Sequence, residues 1–229
     1  MNGPARSLQW IVWGGMAVTM AIILAAFVLQ NRRARSASAS TSAAAEFSES
    51  GLAARGPLPV LFRVPDFALT NQDGQPITLD SLRAQVWLAD IIFTRCSGPC
   101  PAMARRTAEL QGLINPQWPV KFVTLTTDPD YDTPAVLRAH GQRYGAQSGR
   151  WHFLTGPKKD VVQLAVHGLK LTALDKDAGQ QETPTDLFIH STQFILVDGQ
   201  GQARAVFENE DAEMPAKVMK AVQRLLQEK

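Results

Sequence analysis

Residues 86–93 read VWLADIIF, an almost unbroken apolar run whose only polar member is Asp90. A run of this length, bounded by polar segments, fits a strand better than a helix, and its lack of alternation means that both faces must be covered. That is the situation of a central parallel strand with helices packed on either side, so the chain is expected to fold as an α/β domain. The flanking patterns agree. Residues 67–70 and 76–79 form a hairpin around Asn71-Gln72-Asp73-Gly74, and Asp80 and Ser81 suit a short helix start. A helix is expected over 100–114 with Pro101 in its first turn, then a strand over 121–126. A helix over 133–144 has Thr133 as cap and Pro134 in the first position. A short strand over 151–154 and a helix over 160–167 follow, then a polar loop over 175–186. A hairpin pairs 193–197 with 203–207 around Asp198-Gly199-Gln200-Gly201, and an amphipathic helix over 212–227 gathers Val218, Val222 and Leu225 on one side. No internal repeat is visible.

The 20 residues 10–29, WIVWGGMAVTMAIILAAFVL, carry no charge. As a helix they reach about 30 Å, the thickness of a bilayer's hydrocarbon core, with Trp10 and Trp13 as interfacial anchors at one end. The run exceeds the roughly 7–15 apolar residues of a cleavable signal and ends in Gln30-Asn31-Arg32-Arg33, so an uncleaved anchor is expected. Residues 36–45 contain only Ser, Thr and Ala and read as a flexible tether. The expected organisation is therefore a membrane anchor at 1–30, a linker at 31–56 and a globular domain at 57–229. Four of the 23 basic and two of the 21 acidic residues lie in the first 50, so the rest of the chain is charge-balanced. That balance argues against a nucleic-acid partner. Arg32, Arg33 and Arg35 after the helix outnumber Arg6 before it, which by itself favours a cytoplasmic domain.

The only two cysteines stand four positions apart, in Phe93-Thr94-Arg95-Cys96-Ser97-Gly98-Pro99-Cys100-Pro101. Two cysteines cannot staple a scaffold or build a four-thiolate zinc site. Placed where the central strand runs into a helix, Cys96 falls in the loop and Cys100 at the helix start. Unpaired helix N–H groups there are expected to favour the thiolate. Such a pair can close a disulfide or clamp a soft ion such as Cu(I), which accepts two thiolates and one neutral imidazole. Two inert buried cysteines are the bland alternative, disfavoured by the loop beside Gly98 and Pro99.

Among four histidines, His140 reads as a surface residue of the 133–144 helix and His152 as a structural residue of a short strand. His167 ends a helix, where a cation meets the dipole without any function. His190 differs, standing directly before a strand at the end of a long polar loop that could reach the rim of the Cys96 loop. Met103 reads as core packing rather than a further soft ligand. Asp90 is a carboxylate inside an apolar strand, with two readings: it satisfies a polar neighbour, or it exchanges a proton with the second thiol. Thioredoxins resemble the chain here, with a buried aspartate six residues before the first active-site cysteine. No T-x-x-C pattern of the peroxiredoxin type is present, since Phe93 stands three residues before Cys96.

FTRCSGPCP, the segment TTDPDYDTPAVL at 126–137 and HSTQFILVDGQG at 190–201 together resemble the Sco/SenC copper-chaperone family. The likeness covers the chain from about Pro65 to its C-terminus. It implies a thioredoxin-like domain preceded by one transmembrane helix, with copper bound by Cys96, Cys100 and His190. It further implies a metallochaperone or thiol reductant for the CuA-bearing subunit of cytochrome c oxidase or another copper protein. The corresponding location is the inner (cytoplasmic) membrane, single-pass, with the domain facing the periplasm, against the arginine count. A disulfide meant to form belongs on the same oxidising side. In the D-P-x-x-D-T-P segment, Asp128, Asp130 and Asp132 read as turn-forming and helix-starting residues. Familiar members carry Pro and an acidic residue between the cysteines. Here Ser97-Gly98-Pro99 removes the charge and adds the backbone freedom of Gly98. Two alternatives stay open: a copper-independent thiol–disulfide oxidoreductase using Cys96, Cys100 and Asp90, and a tethered binding domain with a structural disulfide.

Overall fold

A computed structural model describes residues 56–176 and 188–228. The span expected at 10–29, the tether and most of the polar segment 175–186 lie outside the described residues. Among those described, no helix is long and apolar enough to cross a membrane.

The apolar run forms β4 (Val86–Ile92), in which every residue is buried. It pairs in parallel with β5 (Val120–Thr126) along its whole length, from Val86 opposite Val120 to Ile92 opposite Thr126. β5 pairs in parallel with β6 (Trp151–Thr155). On the other side of β4 runs β9 (Gln193–Val197), antiparallel, hairpinned to β10 (Gln202–Glu208) with a register shift between Ala203 and Ala205. The hairpin β2 (Ala68–Asn71) and β3 (Pro76–Thr78) joins through β6, and the two-residue β1 (Phe62–Arg63) closes the far edge against β10. The resulting eight-stranded order is β1-β10-β9-β4-β5-β6-β2-β3. A separate two-stranded ribbon pairs β7 (Ala173–Asp175) with β8 (Phe188–His190).

Both faces of the sheet are covered, as β4 requires. Alternation along β4 sends Leu88 and Ile92 to one core, with Met103 and Leu110 of α1 (Cys100–Leu113) and Val218 and Val222 of α4 (Met214–Gln227). Trp87, Ala89 and Ile91 point the other way, toward Val161 of α3 (Lys158–Val162) and Leu164 of the π-helical turn Gln163–Gly168 that continues it. This is the thioredoxin-like α/β arrangement that the resemblance implies. The helix expected at 160–167 thus changes pitch midway, and β1, β7 and β8 are strands that the sequence reading missed.

α2 (Pro134–Arg143) starts as expected, its Val136 N–H donating to the Thr133 hydroxyl at 3.4 Å. His140 on this helix corrects the reading as a surface residue. It is buried, with its ring against Tyr144 and edge-on to Phe153. The helix can sit this close because Gly141 follows: a Cβ there would stand 2.8 Å from the Phe153 ring. His152 is structural as expected, buried on β6 with its Nδ1 3.4 Å from the Asn71 amide.

Burial pushes His140 down from 6.5 to about 4, helped by the nearby Arg143 charge. The unfolded chain therefore binds a proton between these pH values that the folded chain does not, and stability falls as pH drops through that window. At about 1.4 kcal/mol per unit, His140 alone contributes a loss on the order of 3 kcal/mol between pH 7 and 4. Urea unfolding across this range should show a shallower acid loss in His140→Gln than in the parent chain. Equal slopes would refute it.

Candidate metal and dithiol site

The site lies where β4 ends. Past Ile92 and the buried Phe93 the chain turns, with Cys96 N–H donating to Phe93 O at 3.2 Å, and α1 begins at Cys100. Neither cysteine is in a disulfide; Cys96 is half-buried, whereas Cys100 is only 1% exposed. Cys100 packs within the same core as Met103, which is fully buried as the packing reading expected.

The thiolate expectation fails for Cys100. Burial pushes this thiol far above its usual range, reinforced by a hydrogen bond with the Cys96 sulfur, the Cys96 charge and, more weakly, Asp90; a hydrogen bond from the Phe93 backbone opposes the rise. The helix start offers little to offset this. Pro99 and Pro101 have no N–H, and those of Ala102 and Met103 already donate to Pro99 O at 2.9 and 3.1 Å. Gly98 stands in the same loop. Its backbone is not left-handed, and a Cβ there would make an ordinary 3.7 Å contact with Cys96 Sγ, so the turn does not need glycine. What residue 98 supplies is its N–H, which donates to Cys96 Sγ at 3.3 Å.

Asp90 lies on the α1-facing side of β4 and is 2% exposed. The Thr107 hydroxyl, which stands 3.2 Å from both Asp90 Oδ2 and Met103 O, gives it a polar neighbour on α1. His190 ends β8, its backbone paired with Ala173. The ribbon reaches the end of β4 through Phe188, whose ring meets Phe93 edge-on with centroids 5.0 Å apart. His190 therefore stands one pleat repeat from the residue in contact with the cysteine loop's root. The His190 side chain lies outside what is described. Among the described side chains, no three His, Cys, Asp or Glu converge as a metal cage. His140 and His152 are fixed in packing, and His167 is exposed at the π-helical turn.

The sequence reading missed what holds the loop. Asp132 is fully buried; its carboxylate accepts from Thr94 N at 3.1 Å, from the Thr126 hydroxyl at 2.5 Å and from the Thr94 hydroxyl. Burial raises its pKa, while these donors pull the other way. Asp128 accepts from Arg95 Nη2 at 2.5 Å and Nε at 3.1 Å, and the guanidinium lies 4.2 Å from the centre of the Tyr131 ring, itself 46% exposed. The aspartates do form the expected turn, with Tyr131 and Asp132 N–H groups donating to Asp128 O. Their carboxylates reach 33 and 38 residues back to the loop before Cys96.

A family model described as SCO1/SenC matches residues 61–227. The SCO1 protein homolog of Bacillus subtilis is 32% identical over 146 residues, which is 63% of this chain and 72% of that protein. The solved structure of BsSco, a member of the Sco family of cytochrome c oxidase assembly proteins in which a disulfide switch was identified, is 27% identical. It matches with TM-score 0.65 over 76% of this chain and all of that one. ScoI of Bradyrhizobium japonicum, solved with copper bound, shares the fold at TM-score 0.55 and 18% identity, over 71% of this chain and 99% of that one. With its dithiol at the end of the central strand and a family match running through nearly the whole described domain, this chain belongs to the SCO1/SenC family.

Proposed function

We propose that this chain carries one copper ion on Cys96, Cys100 and His190, and delivers copper, reducing equivalents or both to the CuA site of cytochrome c oxidase. The observation that carries the proposal is the placement of two cysteines, neither in a disulfide, where the buried strand runs into α1. Two sulfurs suit Cu(I), and zinc would need ligands the chain cannot supply from cysteine. Copper bound to the Bradyrhizobium ScoI and the oxidase-assembly role of the Sco family support the same reading. The apolar segment 10–29 would hold the domain at the inner membrane, facing the periplasm.

Reductant chemistry uses the same sulfurs, and their unequal exposure favours a division of labour. A Cys96 thiolate attacks a partner's disulfide, displacing one partner sulfur and leaving a mixed disulfide. Cys100, after giving its proton to Asp90, then attacks Cys96 Sγ and releases the second partner sulfur. The partner gains two electrons and this chain gains a Cys96–Cys100 disulfide. A copper-independent oxidoreductase would use this sequence alone.

The decisive test is anaerobic Cu(I) titration of the reduced full chain in detergent, against a chromogenic Cu(I) chelator. One ion per chain is expected, with Cys96→Ser and His190→Ala each weakening binding by about tenfold or more. Because Cys100 is protonated before loading, affinity should climb with pH, by up to about tenfold per unit for each proton released. Absence of tight binding would overturn the copper reading, and indifference to His190 would overturn the ligand set.

Burial makes a separate prediction about the metal-free dithiol. At pH 7 iodoacetamide should label Cys96 at least about tenfold faster than Cys100, read by mass spectrometry of the digested protein. Equal rates would contradict the assignment of Cys96 as the attacking sulfur.

A further inference from the structure

We propose that Asp132 and Thr94 form a latch that positions Cys96 against Cys100, making Asp132 a positioning residue for the dithiol from outside the cysteine motif. A carboxylate is among the costliest groups to bury, and among the described residues no basic side chain pairs with Asp132. Its local surroundings do not need it. The turn before α2 is closed by backbone hydrogen bonds from Tyr131 and Asp132 to Asp128 O, and Thr133 caps the helix. All the carboxylate's bonding goes instead to the ends of the two central strands: Thr94, just past β4, and Thr126, the last residue of β5.

Thr94 is held twice, through its N–H and its hydroxyl. The next turn, in which Cys96 N–H returns to Phe93 O, hangs from that point. Cys100 is fixed independently by its burial as the first residue of α1, so the spacing of the two sulfurs depends on where Thr94 is held. The Arg95–Asp128 pair ties the next residue of the same loop to the aspartate turn, with Arg95 its more exposed partner.

Thr94→Val removes the hydroxyl and keeps the shape, Thr94→Ser keeps the hydroxyl, and Asp132→Asn keeps the shape but loses acceptors. In the full chain, Thr94→Val and Asp132→Asn should lower the effective concentration of one thiol toward the other by about tenfold. That would be read as a less negative Cys96–Cys100 potential in glutathione buffers. The rate of Cys96 alkylation should change with it, while Thr94→Ser stays within about twofold of the parent on both readouts. If Thr94→Val loses thermal stability yet keeps the parent potential and alkylation rate, Thr94 is merely structural and the latch is overturned. Thr94→Val decides the matter even if Asp132→Asn fails to fold. The copper arm rests on the proposed function: the same two variants should weaken Cu(I) binding about tenfold. Should the parent chain bind no Cu(I), that function falls, while the thiol readouts still decide the latch.

Discussion

The parallel pairing of β4 with β5 is the constraint on which the rest depends. Seven residue pairs lock the strands in register, so that Ile92 lies beside Thr126 and both chains leave the sheet at the same edge. One exit becomes the cysteine loop and the other the aspartate turn. The Thr127 N–H donates to Ile92 O at 2.8 Å, which carries the pairing one step past the last pair of the register. Binding sites in open α/β sheets form at the carboxyl ends of adjacent parallel strands, and here that edge collects both thiols and the groups that hold their loop.

The same sheet explains why the two sulfurs differ. β4 alternates between two cores, and the even-numbered side that carries Leu88, Asp90 and Ile92 faces α1. A helix starting four residues after Cys96 must lie down on that face to cover it, which drives its first residue, Cys100, into the core. Cys96 precedes the helix and stays at the rim. Unequal thiols therefore follow from the need to bury a strand on both sides, and the proposed attack by Cys96 would draw on a difference made by packing.

Much of this was legible in the residues and some was not. The nearly continuous apolar run at 86–93, the Thr133-Pro134 start and the Asp198–Gly201 turn each declare a local structure through a strong local preference, and each formed where expected. The strands β1, β7 and β8 have two or three residues and exist only by pairing, β1 with the distant β10 and β7 with β8 across a polar segment, so no local pattern announces them. His140 looked exposed because a single polar residue on a short helix says nothing of what packs over it; Tyr144 and Phe153 decide that. The latch was hidden for the same reason. D-P-x-x-D-T-P has a complete local explanation as turn and cap, and only the strand register shows that its carboxylates face Thr94 and Arg95. Cys100 was misread because the helix-dipole argument assumed free N–H groups, which two prolines and a tight first turn leave scarce.

The insert between the cysteines then takes on a different meaning. Its glycine is not required by backbone conformation, and its missing acid leaves no carboxylate between the two sulfurs. The Gly98 N–H points at Cys96 Sγ, the sulfur at the rim, and hydrogen bonds strengthen when the acceptor carries charge. The loop thus provides for Cys96 a donor of the kind the helix start withholds from Cys100. The proposed reductant sequence, in which Cys96 meets a partner before Cys100 closes on it, asks for negative charge on the accessible sulfur rather than on the buried one. Burial of Cys100, its low supply of helix donors and the Gly98 N–H all push toward that order.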